Sequence, residues 1–489
     1  MTSNDSSVDT LVRGGTVVDG TGAEGEPADV AIRGDRVVAV AAPGTLDAAG
    51  AETVVDAAGR IVAPGFIDVH THDDRAALAT PDMTPKVCQG VTSVVVGNCG
   101  VSLAPLRLNG PPPPPLNLLG ERDDFRFDTV ADYVGAVEEA DPAANLAILI
   151  GHSTLRVGTM ADTDRKADAR EIDRMRALLA EGLAAGAVGF STGLFYRPNA
   201  AADMDEVVAL AEVVGDAGGI YTTHMRDEHD GVLDSLAETF ETGRRARVPV
   251  LISHHKCASP RNWGRSRETL PAIETACRHQ RVALDAYPYA AGSTVLDPDM
   301  VEEEIRILVT WSKAVPEAAG RNLADLAQEW GCSQQAAAER LDPAGAIYFS
   351  MDEDDVRRIL AYPRTMIGSD GLPHDEHPHP RLWGTFPRVI GHYGRDEGLF
   401  PLELAVHKMT GLPAETFGLT GRGVVREGAY ADLVVFDPET ILDRATFEEP
   451  LQVPAGIDRV FVNGVQVWLD GAATGARGGR VLARADGGA

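Results

Sequence analysis

The chain has 489 residues, 44% hydrophobic and 24% charged, enough apolar material for a large core and for more than one ordinary domain. Its formal net charge of −29 argues against a nucleic-acid backbone or an anionic membrane as partner. A small anionic substrate would therefore need a local cationic pocket.

The first nine residues are polar and acidic, without the basic and apolar regions of a signal peptide, and no apolar run is long enough to span a bilayer. Five scattered cysteines (Cys88, Cys99, Cys257, Cys277, Cys332) suit a reducing compartment better than a disulfide framework. These features predict a cytoplasmic protein. Residues 11–19 and 30–40 read as antiparallel strands, the second broken by a Gly34-Asp35 turn. The style returns at 431–436 and at 460–468, where Asn463-Gly464 signals a hairpin. Both ends are thus expected to form one small β-domain, 1–62 with 421–489, around a larger unit at 63–420.

Within that unit, short apolar strands recur at 66–72, 92–97, 145–151, 187–192, 219–224, 248–254, 282–287 and 364–370. Helical spacing appears between several of them, for example at 170–185 and 207–217. The pattern predicts an α/β fold, a (β/α)₈ TIM-like barrel with a long insert between strands seven and eight. The insert, 288–362, has helical-looking pieces such as 323–330 and is expected to act as a lid or specificity region. A proline run at 111–115 reads as a stiff rim or spacer.

The chemistry lies at the strand ends, where barrel enzymes place their active sites. After the Pro64-Gly65 turn, the first strand ends in His70-Thr71-His72, whose period of two puts both imidazoles on one face. The second leads into Gly97-Asn98-Cys99-Gly100, the fifth ends in His224, the sixth in His254-His255-Lys256 and the eighth in Ser369-Asp370-Gly371. Each has a plainer reading: surface or core histidines, an inert buried thiol, a turn-capping aspartate. Five strands delivering ligands or a carboxylate to one rim favour a metal site. His254 is expected to face inward and His255 outward, while Cys88, Cys277 and Cys332 are expected to pack. Zinc held by Cys99, His224 and His254 would keep a position open for water, with Asp370 exchanging its proton. The reaction class is then hydrolysis of an amide or related carbonyl compound. His70 and His72 would bind a weaker second metal or support the oxyanion.

The full chain resembles the amidohydrolase superfamily, in Val17-Val-Asp-Gly-Thr-Gly22, in Asp56 through His72 and in Gly428-Ala-Tyr-Ala-Asp-Leu-Val-Val-Phe-Asp437. Within it, Gly97-Asn-Cys-Gly-Val-Ser-Leu-Ala-Pro105, Gly189-Phe-Ser-Thr-Gly-Leu194, His224-Met-Arg-Asp-Glu228, Ser253-His-His-Lys256 and Gly368-Ser-Asp-Gly371 resemble the D-aminoacylases, the N-acyl-D-amino-acid deacylases. The resemblance implies Cys99, His224 and His254 as tight zinc ligands. It also implies a weaker site at His70 and His72 sharing Cys99, and Asp370 as acid/base. Lys256, Tyr287, Ser293 and Arg381 fall where the family holds the substrate α-carboxylate, and Phe195-Tyr196 would form an aromatic wall. Strand four lacks the lysine that hydantoinase-like relatives carboxylate, which lowers a cyclic-amide reading. Two alternatives stand behind the deacylase: another amidohydrolase reaction on a cyclic amide, lactam or dipeptide-like substrate, and a non-catalytic scaffold.

Overall fold

The computed structural model describes residues 8–484, so most of the polar start read above for targeting, and the last five residues of the chain, lie outside it. Eight parallel strands form the barrel: Phe66–Asp68 (β1), Val91–Val96 (β2), Asn145–Gly151 (β3), Gly189–Gly193 (β4), Ile220–His224 (β5), Val250–Ile252 (β6), Val282–Ala286 (β7) and Thr365–Ile367 (β8). They pair in chain order from β1 to β8, as repeated strand–helix units with right-handed crossovers require. They are buried on both faces, and those such as Asn145–Gly151 and Val250–Ile252 stand out in the sequence as apolar runs, while Gly189–Gly193 and Ile220–His224 carry buried Ser and Thr.

Side chains from successive strands fill the barrel, among them Ile67, Val95, Leu149, Val188, Ile220, Leu251 and Met366. A second apolar layer packs the surrounding helices against the outside of the strands. Burying each such side chain stabilises the fold by about 1.5–3 kcal/mol. The helices begin where the sequence provides caps. Asp168 accepts the backbone N–H groups of Arg170 and Glu171 ahead of Ala169–Ala184, and Asp203 caps Met204–Asp216.

Both chain ends build a second, nine-stranded sheet. Its seam is Leu433–Phe436 running antiparallel to Ile61–Pro64, with Leu433 opposite Pro64. The Gly34-Asp35 turn joins Glu26–Arg33 to Arg36–Ala41, and Asn463-Gly464 joins Ile457–Val462 to Val465–Leu469. The last described strand, Val481–Leu482, crosses instead to the barrel and pairs with β3. The chain leaves this sheet for the barrel at Gly65, where a Cβ would stand 2.1 Å from Thr92 Cγ2, so no larger residue fits.

The insert between β7 and β8 carries its own antiparallel sheet, Gly292–Val295 and Ile307–Ser312 flanking Ala344–Tyr348. Its helices Leu323–Trp330 and Gln334–Leu341 share a separate small core with that sheet. The sheet is hard to see in the sequence, because Gly292–Val295 and Ala344–Tyr348 are short and rich in small or polar residues, and of the three only Ile307–Ser312 carries a plain apolar β pattern. Among the described residues no helix is long and apolar enough to cross a membrane.

Two local expectations are corrected. The first barrel strand ends at Asp68 rather than at residue 72; the chain bends there, and beyond the bend Thr71 donates its N–H to the Val95 carbonyl of β2 at 3.1 Å and forms an isolated bridge to Gly371. Cys332 is exposed at the end of an insert helix, so it does not pack in a core as Cys88 does.

Candidate metal centre and active site

Three of the chemistry-bearing residues have left-handed backbones: Cys99 at φ 53°, His254 at φ 35° and Asp370 at φ 51°. Each conformation costs on the order of 1 kcal/mol for a residue with a Cβ, and the surrounding fold must hold it. Gly97 shows how. At φ 80° its absent Cβ would lie 2.0 Å from the Leu149 carbonyl oxygen, so β2 can turn sharply against β3 and present Cys99 to the barrel mouth.

The strand ends converge into two overlapping groups of donors, Cys99 with His224 and His254, and Cys99 with His70, His72 and Asp370, each within 4.8 Å. Cys99 Sγ lies 3.3 Å from His254 Nε2, which lies 3.0 Å from His224 Nδ1. On the other side Cys99 Sγ is 3.1 Å from His70 Nε2, and Asp370 Oδ1 is 3.2 Å from His72 Nε2 and 3.5 Å from His70 Nε2. All six residues are buried. A thiol with four imidazoles and a carboxylate suits zinc, and the shared sulfur lets two ions sit side by side. His70 and His72 meet through the bend after β1 rather than through strand alternation, with ring centroids 5.7 Å apart.

The electrostatics favour that use. Burial works against ionisation of the Cys99 thiol, but His70 and His254 outweigh it and hold the thiol well below its ordinary range. Burial likewise opposes the Asp370 carboxylate, and Arg381 at 2.9 Å, with His70, keeps it ionised well below the usual carboxylate range.

Two carboxylates that sequence reasoning left unassigned support the histidines from behind. Asp285, at the end of β7, lies 3.3 Å from His70 Nδ1 and accepts the His254 backbone N–H at 2.9 Å. Glu228 reaches His254 Nδ1 at 3.0 Å, His224 Nε2 at 3.5 Å and Lys256 Nζ at 2.7 Å. Such partners fix the tautomer and ring orientation of a metal-binding imidazole. Their only sequence signal is an acidic residue near a strand end. His255 turns away from the donors, as expected, but it is buried rather than solvent-facing, with Nε2 2.8 Å from Thr269 Oγ1.

On the substrate side, a cleft at the barrel mouth is lined by His72, Cys99, Tyr196, Lys256, Tyr287, Ser293 and Asp370. Arg381 lies just beneath, fully buried, its guanidinium 4.5 Å from the centre of the Tyr287 ring and donating to the Ser293 carbonyl at 3.0 Å. Its Nε has no hydrogen-bond acceptor among the described residues. The Ser293 hydroxyl is turned to Ala346 carbonyl at 3.3 Å. Phe195 stacks on His224 with ring centroids 5.5 Å apart, and Tyr196 Oη lies 2.9 Å from Thr294 Oγ1 of the insert. The insert adds Met300 and Tyr348 to this wall, and Leu118, just after the proline run, adds a third apolar surface.

The amidohydrolase family model matches residues 53–315 and 316–468. The chain is 56% identical over 476 residues to a D-aminoacylase of Alcaligenes xylosoxydans xylosoxydans, covering 97% of this chain and 98% of that one. An N-acyl-D-aspartate deacylase of the same organism is 51% identical over 480 residues, covering 98% and 95%. A crystal structure of N-acyl-D-glutamate deacylase from Bordetella bronchiseptica, complexed with zinc and a phosphonate mimic of the tetrahedral intermediate, superposes with a TM-score of 0.94. It is 48% identical and covers 98% of this chain and 100% of that one.

Proposed function

The chain belongs to the amidohydrolase family, among its N-acyl-D-amino-acid deacylases, and on that premise we propose a role for each group at the barrel mouth. The protein is a metal-dependent hydrolase that splits the amide bond of N-acyl-D-amino acids into a D-amino acid and a carboxylate. The observation that carries the residue roles is the meeting of Cys99, His224, His254, His70 and His72 with Asp370 in one buried cluster facing the cleft.

Cys99, His224 and His254 would hold the tighter zinc, and His70 and His72, sharing Cys99, a weaker one. The chemistry zinc supplies in such a site is acidification of water and polarisation of the carbonyl. Asp370, kept ionised by Arg381, takes the proton of the attacking water at Oδ1 and returns it to the leaving nitrogen. Arg381 and Lys256 receive the substrate carboxylate. The Nε of Arg381, without an acceptor among the described residues, supports that role, as does a guanidinium held 4.5 Å from the centre of the Tyr287 ring at the cleft. Tyr287 and the Ser293 backbone position the guanidinium.

The side chain of the substrate would lie along Phe195, Met300 and Tyr348. That wall is apolar and aromatic, so apolar D-residues are the preferred substrates, with the insert 288–362 setting the preference. The small sheet of both chain ends supports dividing the protein into 1–62 with 421–489 and a catalytic unit at 63–420. Five free cysteines, with Cys99 used as a thiol ligand, suit a cytoplasmic setting.

The test is turnover of N-acetyl-D-methionine against its L-isomer, with zinc measured per chain. D-selective hydrolysis with bound zinc is the expected result, and an active metal-free protein would overturn the assignment. Faster hydrolysis of N-acetyl-D-glutamate than of N-acetyl-D-leucine would refute the apolar wall.

A further inference from the structure

The barrel closes imperfectly between its first and last strands. Among the described residues β1 and β8 share no ladder; the isolated bridge Thr71–Gly371 and the Asp370 N–H to the His70 carbonyl, at 2.8 Å, cross the gap. This seam is where His70 and His72 face Asp370, so the spacing of those groups depends on whatever holds it shut.

Directly behind it lies a buried charged cluster. Lys86, on the short helix Thr84–Val87 between β1 and β2, has its Nζ 2.8 Å from Asp68 Oδ2, 2.8 Å from Ser369 Oγ and 3.2 Å from Asp73 Oδ2. The other oxygen of Asp68 accepts the Ser369 backbone N–H at 2.8 Å and the His70 N–H at 3.3 Å. All four residues are at most 2% exposed. Asp68 lies two residues before His70, Asp73 follows His72, and Ser369 precedes Asp370. One ammonium therefore joins the stretch carrying both histidines to the stretch carrying the aspartate. None of these four side chains faces the cleft.

We infer that Lys86, with Asp68 and Ser369, is a side-chain clasp that replaces the missing ladder and sets the distance between the His70–His72 pair and Asp370. Lys86 is a positioning residue. Burying a charge is costly unless it is paired and hydrogen-bonded, and this lysine is paired across the seam. Burying three charges merely to stabilise the barrel is inefficient, since apolar residues of similar volume would do as well. A fixed geometry at the site gives the cluster a reason to exist, because misplacing a reacting group by 1 Å costs up to about 100-fold in rate.

The inference rests on the roles proposed for His70, His72 and Asp370, and the experiment separates the two. Ser369→Ala removes the hydroxyl strut and leaves the Lys86 charge paired, so the barrel should still fold; Lys86→Met breaks the whole clasp. Each purified variant is assayed for kcat and KM with N-acetyl-D-methionine, for zinc binding to the apo-protein by chelator competition, and for Tm. With the clasp as described, Ser369→Ala lowers kcat roughly 10-fold at nearly constant KM and weakens the second zinc equivalent roughly 10-fold. Lys86→Met, if it folds, does more of both. A Tm loss alone, with kcat per folded molecule and both zinc affinities unchanged in Ser369→Ala, would overturn the inference. Failure of the parent protein to hydrolyse the D-substrate would count against the functional assignment instead, and the zinc titration would still decide the clasp.

Discussion

Replacing Asp285 by asparagine probes the support beneath the histidines. The carboxylate is fully buried; its Oδ2 lies 3.4 Å from His70 Nδ1, and its Oδ1 accepts the His254 N–H at 2.9 Å. A carboxylate only accepts, so His70 Nδ1 carries the proton and Nε2 keeps the lone pair that points towards Cys99 at 3.1 Å. Asparagine has the same shape, and its oxygen can still serve the His254 N–H. Its amide nitrogen then faces His70 Nδ1 as a donor and favours the other tautomer, with the proton on Nε2 in the ligand direction. Such second partners are worth about 10–100-fold in metal affinity, or about 1.4–2.7 kcal/mol. Asp285→Asn should therefore bind the weaker zinc equivalent about 10–100-fold less tightly, while the tight one is retained. Zinc titration of the apo-protein against a chromophoric chelator measures both. Unchanged affinity for both equivalents would refute the tautomer argument.

Other substitutions separate the remaining roles. Asp370→Asn should retain its tight zinc and lose roughly 10²–10⁴-fold in kcat, the usual worth of a general acid/base; full activity would exclude it as the proton carrier. Arg381→Met should raise KM for N-acetyl-D-methionine and lower kcat as well, since it removes a partner of the substrate carboxylate and the cation paired with Asp370 at 2.9 Å; a change in neither, read by steady-state kinetics, would exclude both roles. Away from the site, burial opposes ionisation of Glu206, but His152 and Arg156 outweigh it and bring the carboxyl from 4.5 to about 2. Its stabilisation, on the order of 3 kcal/mol, is present above pH 4.5 and is lost as the pH falls towards 2. In Glu206→Gln the denaturant midpoint should be lower at neutral pH and flatter across that acid window; a profile parallel to that of the parent protein would contradict the reading.

Much of the barrel was legible because its strands are buried on both faces and so carry mainly apolar or small residues in short recurring runs. The helices at Ala169–Ala184 and Met204–Asp216 were legible through their spacing, and Asp168 and Asp203 cap them. The candidate donors that the structure gathers at the barrel mouth were legible because imidazoles, a glycine-flanked cysteine and an aspartate stood near strand ends, where barrel topology brings residues distant in sequence to one rim. The His70–His72 geometry was reached by an incomplete argument. Alternation along a strand put them on one face, whereas the chain leaves the strand at Asp68 and a bend brings the rings together.

The sequence by itself determined the candidate donor types, the strand count and the reaction class, since these depend on side-chain chemistry and on local periodicity. Only the tertiary structure decided which groups stand behind the ligands. Asp285 supports His70 across 215 residues of chain, and Lys86 reaches Ser369 across 283. It also decided that Arg381 lies buried against Asp370 and Tyr287 rather than at the surface. No local pattern encodes those partnerships. They arise from the closure of the barrel, which removes water from charged groups and leaves each to be satisfied by whatever the opposite strand presents.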